Sequence, residues 1–200
     1  MKLYRPATVL VGVLFVLLGG LTRLAVPDQV YNDEDNLIIE HGTVGSKLEY
    51  GDSTIEVTRM KFAKSYLPSG ADDEDKPIET NGVYVALEWD TVRGTQNPTT
   101  LNVTLEADGG TVYAPVGETT GSGIDFAAAG FGQTGAVVFE VNPVDLKGLT
   151  LKLRPSQFYN VLAHAIDVDL GIPIETVAQQ LVDGAAQQYV IPNSVERVAQ

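Results

Sequence analysis

The sequence has 200 residues, no cysteine and a formal net charge of −13. With 44% hydrophobic residues, the chain can bury a core, which argues against wholesale disorder. The excess of acidic residues argues against nucleic acid or anionic lipid as a partner, because both bind cationic surfaces. The lack of cysteine excludes disulfides, thiol chemistry and a lipid-modified cysteine, and is compatible with a bacterial envelope protein.

The start of the chain predicts a membrane anchor. Residues 6–22 lie between Arg5 and Arg23 and carry no charge. A helix of that length spans about 25 Å, slightly less than a hydrocarbon core of roughly 30 Å. The apolar residues that follow Arg23 extend the segment, so we assign residues 6–26 to a spanning helix. A cleaved signal peptide is the alternative, but cutting after Ala25 would place Arg23 where a small residue is needed.

The charges around this helix predict its orientation. Residues 1–5 contain Lys2 and Arg5, and cytoplasmic flanks of membrane helices are rich in such side chains. We therefore expect a single-pass protein of the cell membrane, with a cytoplasmic N-terminus and an extracytoplasmic C-terminal domain. Residues 27–36 are acidic and polar and predict a solvated stalk between the bilayer and that domain.

Residues 37–170 have the two-residue periodicity of half-buried strands. The clearest example is GVYVALEWDTV, where Tyr84 faces away from the apolar side, which is formed by Val83, Val85, Leu87 and Trp89. Seven or eight short strands with turn residues between them favour an antiparallel sandwich, since no helical pattern separates them. Trp89 is expected in the core, and Tyr84 is a candidate for an exposed contact surface.

One strand and two loops have further features. The apolar pattern changes parity around Arg59, from Val57 to Met60, which predicts a β-bulge. Residues 67–82 and 115–133 are rich in Gly, Pro and polar residues and predict long loops.

Residues 171–200 are different, because they begin with a helical stripe. Its apolar members, at offsets of 0, 3, 4, 7, 8 and 11, are Ile174, Val177, Ala178, Leu181, Val182 and Ala185. This amphipathic helix would pack on the sandwich, dock to a partner, or lie on the membrane; packing is favoured, and the stripe lacks the cationic residues of membrane-surface helices. If the helix docks, Val177 and Leu181 are the expected partner contacts. An extended tail follows it.

Several segments resemble one family. They are GSKLEYGDSTIEVTRM, NGVYVALEWDTV, PTTLNVTLEADGGTVY, GQTGAVVFEVNP and GLTLKLRP, within residues 43–155. Their order is similar to that of exported actinobacterial immunoglobulin-like domains, often called telokin-like. The resemblance implies an immunoglobulin-like sandwich in the cell envelope that mediates interactions, and it carries over no functional residue.

The sequence offers no strong pattern for chemistry. Residues 72–75 are contiguous acids, which favours a solvated loop over the spaced ligands of a calcium site. His41 and His164 have no partner at zinc-ligand spacing. Ser122 lies between two glycines, but a nucleophile elbow needs glycines two positions away, where this chain has Thr120 and Ile124. The segment GFGQTG lacks the context of a phosphate loop. We therefore predict no catalytic, cofactor-binding or metal-binding residue.

These observations give a leading functional hypothesis and an alternative. The leading one is a non-enzymatic, membrane-anchored envelope protein whose sandwich contacts envelope or membrane proteins, either as a free-standing protein or as an accessory subunit of a larger membrane complex. The alternative is a secreted or anchored module that binds a small molecule or glycan through the loops 67–82 and 115–133. That alternative predicts a concave, partly apolar pocket lined by loop residues.

Overall fold

A computed structural model describes residues 37–72, 74–116, 123–156 and 162–199. The anchor predicted at residues 6–26 and the stalk at 27–36 lie outside the described residues. Within the described part, no helix has the length and apolar character needed to cross a bilayer.

The described residues form mainly strands. In chain order these are β1 (Leu37–Thr43), β2 (Lys47–Tyr50), β3 (Ser53–Leu67), β4 (Ile78–Val92), β5 (Leu101–Glu106), β6 (Val112–Tyr113), β7 (Phe131–Val141), β8 (Thr150–Pro155), β9 (Ala163–Asp169), β10 (Tyr189–Val190) and β11 (Val195–Val198). A short 3-10 helix covers Pro143–Asp145, and the α-helix, α1, covers Glu175–Asp183.

The strands form two sheets, and the expected all-β sandwich is confirmed. The first sheet has the order β1-β9-β8-β5-β6 and the second has the order β10-β3-β4-β7-β11, with β2 also paired to β3. The expectation of a purely antiparallel fold is wrong, since β1 pairs in parallel with β9 and β10 in parallel with β3. Both exceptions join strands that are far apart in the chain, so the long connection required for parallel pairing is available.

One continuous core lies between the sheets. Fully or nearly fully buried side chains come from the second sheet (Val83, Val85, Leu87, Trp89, Val137, Phe139 and Val141) and from the first (Leu101, Val103, Leu105, Leu151, Leu153, Ile166 and Val168). The alternation in the sequence therefore identified the inward face of β4, β5, β8 and β9.

The long hairpin of β3 and β4 has two irregularities. The predicted bulge is confirmed, because Val57 pairs with Trp89 while Arg59 pairs with Glu88. A second shift lies between Ala63 and Ser65. Beyond it the hairpin continues to Ile78, so the loop is shorter than the predicted 67–82.

The strand β7 also begins earlier than expected. It starts at Phe131, within the loop predicted at residues 115–133. The glycine-rich segment GFGQTG is therefore largely strand, and the loop predicted at 115–133 ends sooner.

Helix α1 packs on the sandwich. Ala178 is buried, and Val177 and Leu181 are partly buried against the main core. The two residues expected as partner contacts in a docking helix thus contact this chain's own core, as the packing alternative requires. The helix ends at Asp183, with Gly184 as its C-cap.

The residues after α1 belong to the second sheet. We call residues 185–199 the C-terminal strap. Ala186 N–H donates to the carbonyl of Phe62 at 2.8 Å, β10 then extends the β3 edge, and β11 pairs with β7 at the other edge. The boundary predicted at residue 170 is therefore not a boundary of the sandwich.

Candidate ligand-binding cleft

The strap covers part of the outer face of the second sheet. Tyr84 does face away from Trp89, as expected, but it is only 2% exposed. It lies in a second cluster with Tyr66, Tyr189 and Ile191, and its ring meets that of Tyr66 edge-on at 4.9 Å. The prediction that Tyr84 forms an exposed contact surface is wrong, because alternation assigns a residue to a face but not what covers that face.

The described residues pair with only part of the outer edge of β7. Val195 of β11 pairs with Thr134, and Val116 N–H donates to the Val138 carbonyl at 2.9 Å. Alternate residues of an antiparallel strand direct their backbone groups to the same edge. The N–H and C=O of Ala136 therefore also point away from β4, toward the outer edge of β7. Neither neighbouring segment pairs with Ala136 in the part of the chain that the structure describes.

A cleft of about 260 Å³ lies at this edge. Its lining residues are Ser69, Trp89, Gly123, Asp125, Gln133, Gly135, Ala136, Ile191, Pro192 and Ser194. They come from β4 and β7, from the two loops that the sequence singled out, and from the strap. The strap's contribution was not predicted from the sequence.

Trp89 is the central residue of the cleft wall. It is 4% exposed, and its indole lies across Gly135, where any Cβ would overlap the ring. Among the residues that the structure describes, its Nε1–H has no hydrogen-bond partner. A buried donor without an acceptor is costly, which makes this N–H a candidate contact for a ligand of the cleft. Core packing was predicted for Trp89, but this donor was not.

Hydrogen bonds hold the walls of the cleft together. Gln133 Nε2 donates to Ser194 Oγ at 2.9 Å, and Ser69 Oγ donates to Asn193 Oδ1 at 2.5 Å. On the opposite wall, Thr91 Oγ1 donates to the carbonyl of Asp125 at 2.7 Å. The strap, the β3–β4 loop and the loop before β7 are thus each anchored, which gives the cleft a preformed shape.

The charged groups beneath the strap are paired with one another. Glu88 lies 3.3 Å from Arg59 Nε and 3.2 Å from Lys61 Nζ, and it accepts a hydrogen bond from the Tyr189 hydroxyl at 3.3 Å. Burial, and then the charge of Glu88, raises the pKa of Tyr189. Tyr189 therefore remains a neutral donor at physiological pH and helps to hold the strap on the sheet.

In the acidic loop, the described residues make a local turn. The Asp75 carboxylate accepts from the Asp72 N–H at 2.7 Å, which is a local turn contact. Among the residues that the structure describes, no three potential metal ligands are grouped.

The two histidines lie in different surroundings. His41 Nδ1 is 3.8 Å from Asp167, which is itself paired with Arg154 at 2.6 Å, whereas His164 lies edge-on to Tyr50 at 6.3 Å. The structure therefore does not bring His41 and His164 into one site. Ser122 is outside the described residues.

Comparisons with known proteins add little. No protein-family model matches the chain, and no curated protein matches it. A solved structure with detectable similarity is an uncharacterized β-sandwich protein from Clostridium difficile 630, with 14% identity and a TM-score of 0.41. The match covers 68% of this chain and 97% of that one. Membership of the actinobacterial immunoglobulin-like family stays a prediction.

Proposed function

We propose that this chain is a binding module whose cleft at the β7 edge holds a small, polar organic molecule. The observation that carries the proposal is the buried Nε1–H of Trp89, which has no hydrogen-bond partner among the described residues and belongs to a residue that lines a cleft of about 260 Å³. Ligand pockets typically combine apolar walls with a few polar groups that orient the ligand. Here Ile191 and Pro192 supply apolar surface, while Gln133 and Asp125 supply polar groups.

The size and charge of the cleft limit the ligand. Pockets for drug-sized molecules enclose about 300–1,000 Å³, so this cleft suits a smaller molecule. Among the described residues that line it, Asp125 is the only charged one. An anion would be repelled, and a neutral or cationic ligand is favoured.

The location of the module is also part of the proposal. The segment 6–26 would anchor the chain in the cell membrane with its N-terminus in the cytoplasm, so the cleft would face the extracytoplasmic space. Intact-mass measurement of the native protein tests this: retention of residues 1–26 is expected, whereas a soluble chain that begins near residue 21 or 26 would refute the anchor.

Trp89 makes the ligand test direct, because the chain has a single tryptophan. The full chain in lipid nanodiscs is titrated with neutral sugars, polyols, amino acids and short diamines while its fluorescence is recorded. We expect at least one compound to shift the emission in a saturable manner. No response to the whole panel would contradict the proposal.

A matched pair of variants assigns the response to the cleft. Ser194→Ala removes a lining hydroxyl and should weaken binding about three- to tenfold, as for the loss of one hydrogen bond. Ser46→Ala removes a serine that contacts Thr43 in the β1–β2 turn and should leave binding unchanged. Equal effects of both variants would place the ligand elsewhere.

Contact with an envelope or membrane protein is the second candidate function. It is favoured by β11, which forms one edge of the second sheet and has all four residues exposed, including Val195 and Val198. Open strand edges pair with extended segments of other chains. Val198→Pro would block the outward N–H of this edge, so co-purification of membrane proteins with native chain but not with this variant would support the second function.

A further inference from the structure

A second cleft lies beside the first. It also encloses about 260 Å³, and its lining residues are Arg93, Asn97, Pro98, Thr99, Thr100, Leu101, Ile124, Asp125 and Phe126. Its walls are mainly polar, with hydroxyl, amide and carboxylate groups, and Pro98 and Phe126 provide apolar surface. Arg93 is engaged with backbone carbonyls, since it donates to Gln96 at 3.2 Å and to Ala127 at 3.3 Å.

Asp125 lines both clefts. Gly123, two residues before Asp125, lines the first cleft, and Phe126, the residue after it, lines the second. The chain therefore passes from one cleft to the other at Asp125. Ile124 and Ala127 are buried, and Thr91 and Arg93 bond to the carbonyls of Asp125 and Ala127. Residues 124–127 thus separate the two clefts and are held in place by these bonds and by the two buried side chains. The Asp125 side chain is exposed.

The chemistry of the two clefts is similar. Each one mixes hydrogen-bond donors and acceptors with a patch of apolar surface. Among the described lining residues, the charged ones are Asp125 in both clefts and Arg93 in the second. Such walls suit a neutral, polyhydroxylated ring, which has hydroxyl groups at its rim and C–H groups on its faces. The volume of each cleft equals that of roughly nine water molecules, which is the scale of one sugar unit and not of a chain of them.

We propose that the two clefts are consecutive subsites for a short, linear, neutral oligosaccharide. One sugar unit contacts Trp89 and Gln133 in the first subsite, the next contacts Asn97 and Thr100 in the second, and Asp125 accepts hydrogen bonds from both units. This inference rests on the proposed function, because it takes the first cleft to be a ligand site. It adds the ligand class and the second subsite.

The test compares ligand lengths on the full chain in nanodiscs. Glucose, maltotriose and cellotriose form one probe series, and N-acetylglucosamine and chitotriose form the other; calorimetry and Trp89 fluorescence measure binding. Within the series that binds, the trisaccharide should bind at least about tenfold more tightly than the monosaccharide, because the second unit gains contacts without a second association cost. Equal affinities would overturn the inference of two subsites.

Variants separate the subsites. Asn97→Ala should weaken trisaccharide binding about three- to tenfold and leave monosaccharide binding unchanged, whereas Ser194→Ala should weaken both. Asn81→Ala, on an exposed residue of β4 outside both clefts, is the control. An effect of Asn97→Ala no larger than that of Asn81→Ala would overturn the second subsite.

The two proposals fail in distinguishable ways. If amino acids or diamines bind and no saccharide of either series does, the oligosaccharide inference is wrong and the proposed function stands. If no compound of any class changes the Trp89 emission or gives heat of binding, both proposals are wrong.

Discussion

At the scale of single residues, the cleft depends on the contact between Trp89 and Gly135. These residues are paired across β4 and β7, and the indole occupies the space that a side chain at position 135 would fill. Glycine here leaves room for the ring, whose N–H has no partner within the described part of the chain. The sequence shows both residues but not their pairing, which depends on the register of two distant segments.

Gly135→Ala should therefore destabilise the fold. The added methyl overlaps the indole and forces either the ring or β7 to move, at a cost of about 1–3 kcal/mol. Gly109→Ala is the matched control, since a Cβ there meets nothing within 4 Å, and its cost should stay within about 0.5 kcal/mol. Urea unfolding of both variants measures the difference; equal stabilities would contradict the packing described for Trp89.

Asp52 is a second residue with a defined role. Its carboxylate accepts hydrogen bonds from the Gln96 N–H at 3.0 Å and from the N–H and hydroxyl of Thr95 at 2.7 and 2.8 Å. Hydrogen bonds from Gln96 and Thr95 lower the pKa of Asp52 below its ordinary value of 3.8. They connect the β2–β3 turn to the loop after β4.

The stability that Asp52 provides should depend on pH. Because its folded-state pKa is lowered, the contribution is complete above the ordinary value of 3.8 and is lost as the pH falls through the folded-state value. Asp52→Ala should thus be less stable than the native chain at neutral pH, and the deficit should shrink in acid. Urea midpoints recorded against pH test this; a deficit that is constant into the acid range would contradict it.

At the scale of elements, the strap has two parts with different energetic roles. Tyr189 and Ile191 are buried on the outer face of the second sheet, at 7% and 3% exposure. In β11 all four residues are exposed, and Arg197 contacts Asp90 at 2.5 Å at the surface. Exposed ion pairs add little stability, so most of the strap's contribution comes from the residues before β11.

Two truncations separate these parts. A chain that ends at Gln188 loses Tyr189 and Ile191, and each buried side chain of this kind contributes about 1.5–3 kcal/mol; a loss of roughly 3–6 kcal/mol is expected. A chain that ends at Ser194 loses only β11 and should lose much less. Guanidinium unfolding measures both, and similar losses would contradict this division of the strap.

The strands differ in how far the sequence could predict them. Alternation identified the buried face of β4 and β5, and the parity change around Arg59 located the bulge. The pairing of β11 was not predictable, because Val195 to Val198 bury no face and so leave no two-residue pattern. Tyr84 was assigned to the correct face of β4 but not to a buried cluster, because alternation does not show that Tyr189 and Ile191 cover that face.

At the scale of the whole molecule, the cleft forms where several distant segments meet. The sequence pointed to the loops 67–82 and 115–133 as ligand-binding segments, and Ser69 and Asp125 do line the cleft. The third wall, with Ile191 and Ser194, comes from the strap. It could not be inferred, because it requires the chain to pass from one edge of the second sheet to the other.

The surface charge of the molecule agrees with this view of the ligand. All 26 acidic residues follow the predicted anchor, whereas Lys2, Arg5 and Arg23, three of the 13 basic ones, lie within or before it. The resulting negative potential disfavours anionic ligands throughout the domain. Neutral or cationic molecules reach the cleft without electrostatic opposition.

The most direct test of a ligand site at Trp89 is nuclear magnetic resonance of its indole N–H in the full chain. A single tryptophan gives a single indole cross-peak in the ¹H–¹⁵N spectrum. When a ligand from the panel binds, we expect this peak to move downfield and its exchange with water to slow, as the donor gains an acceptor. A ligand that binds while the indole peak keeps its position and exchange rate would contradict the account.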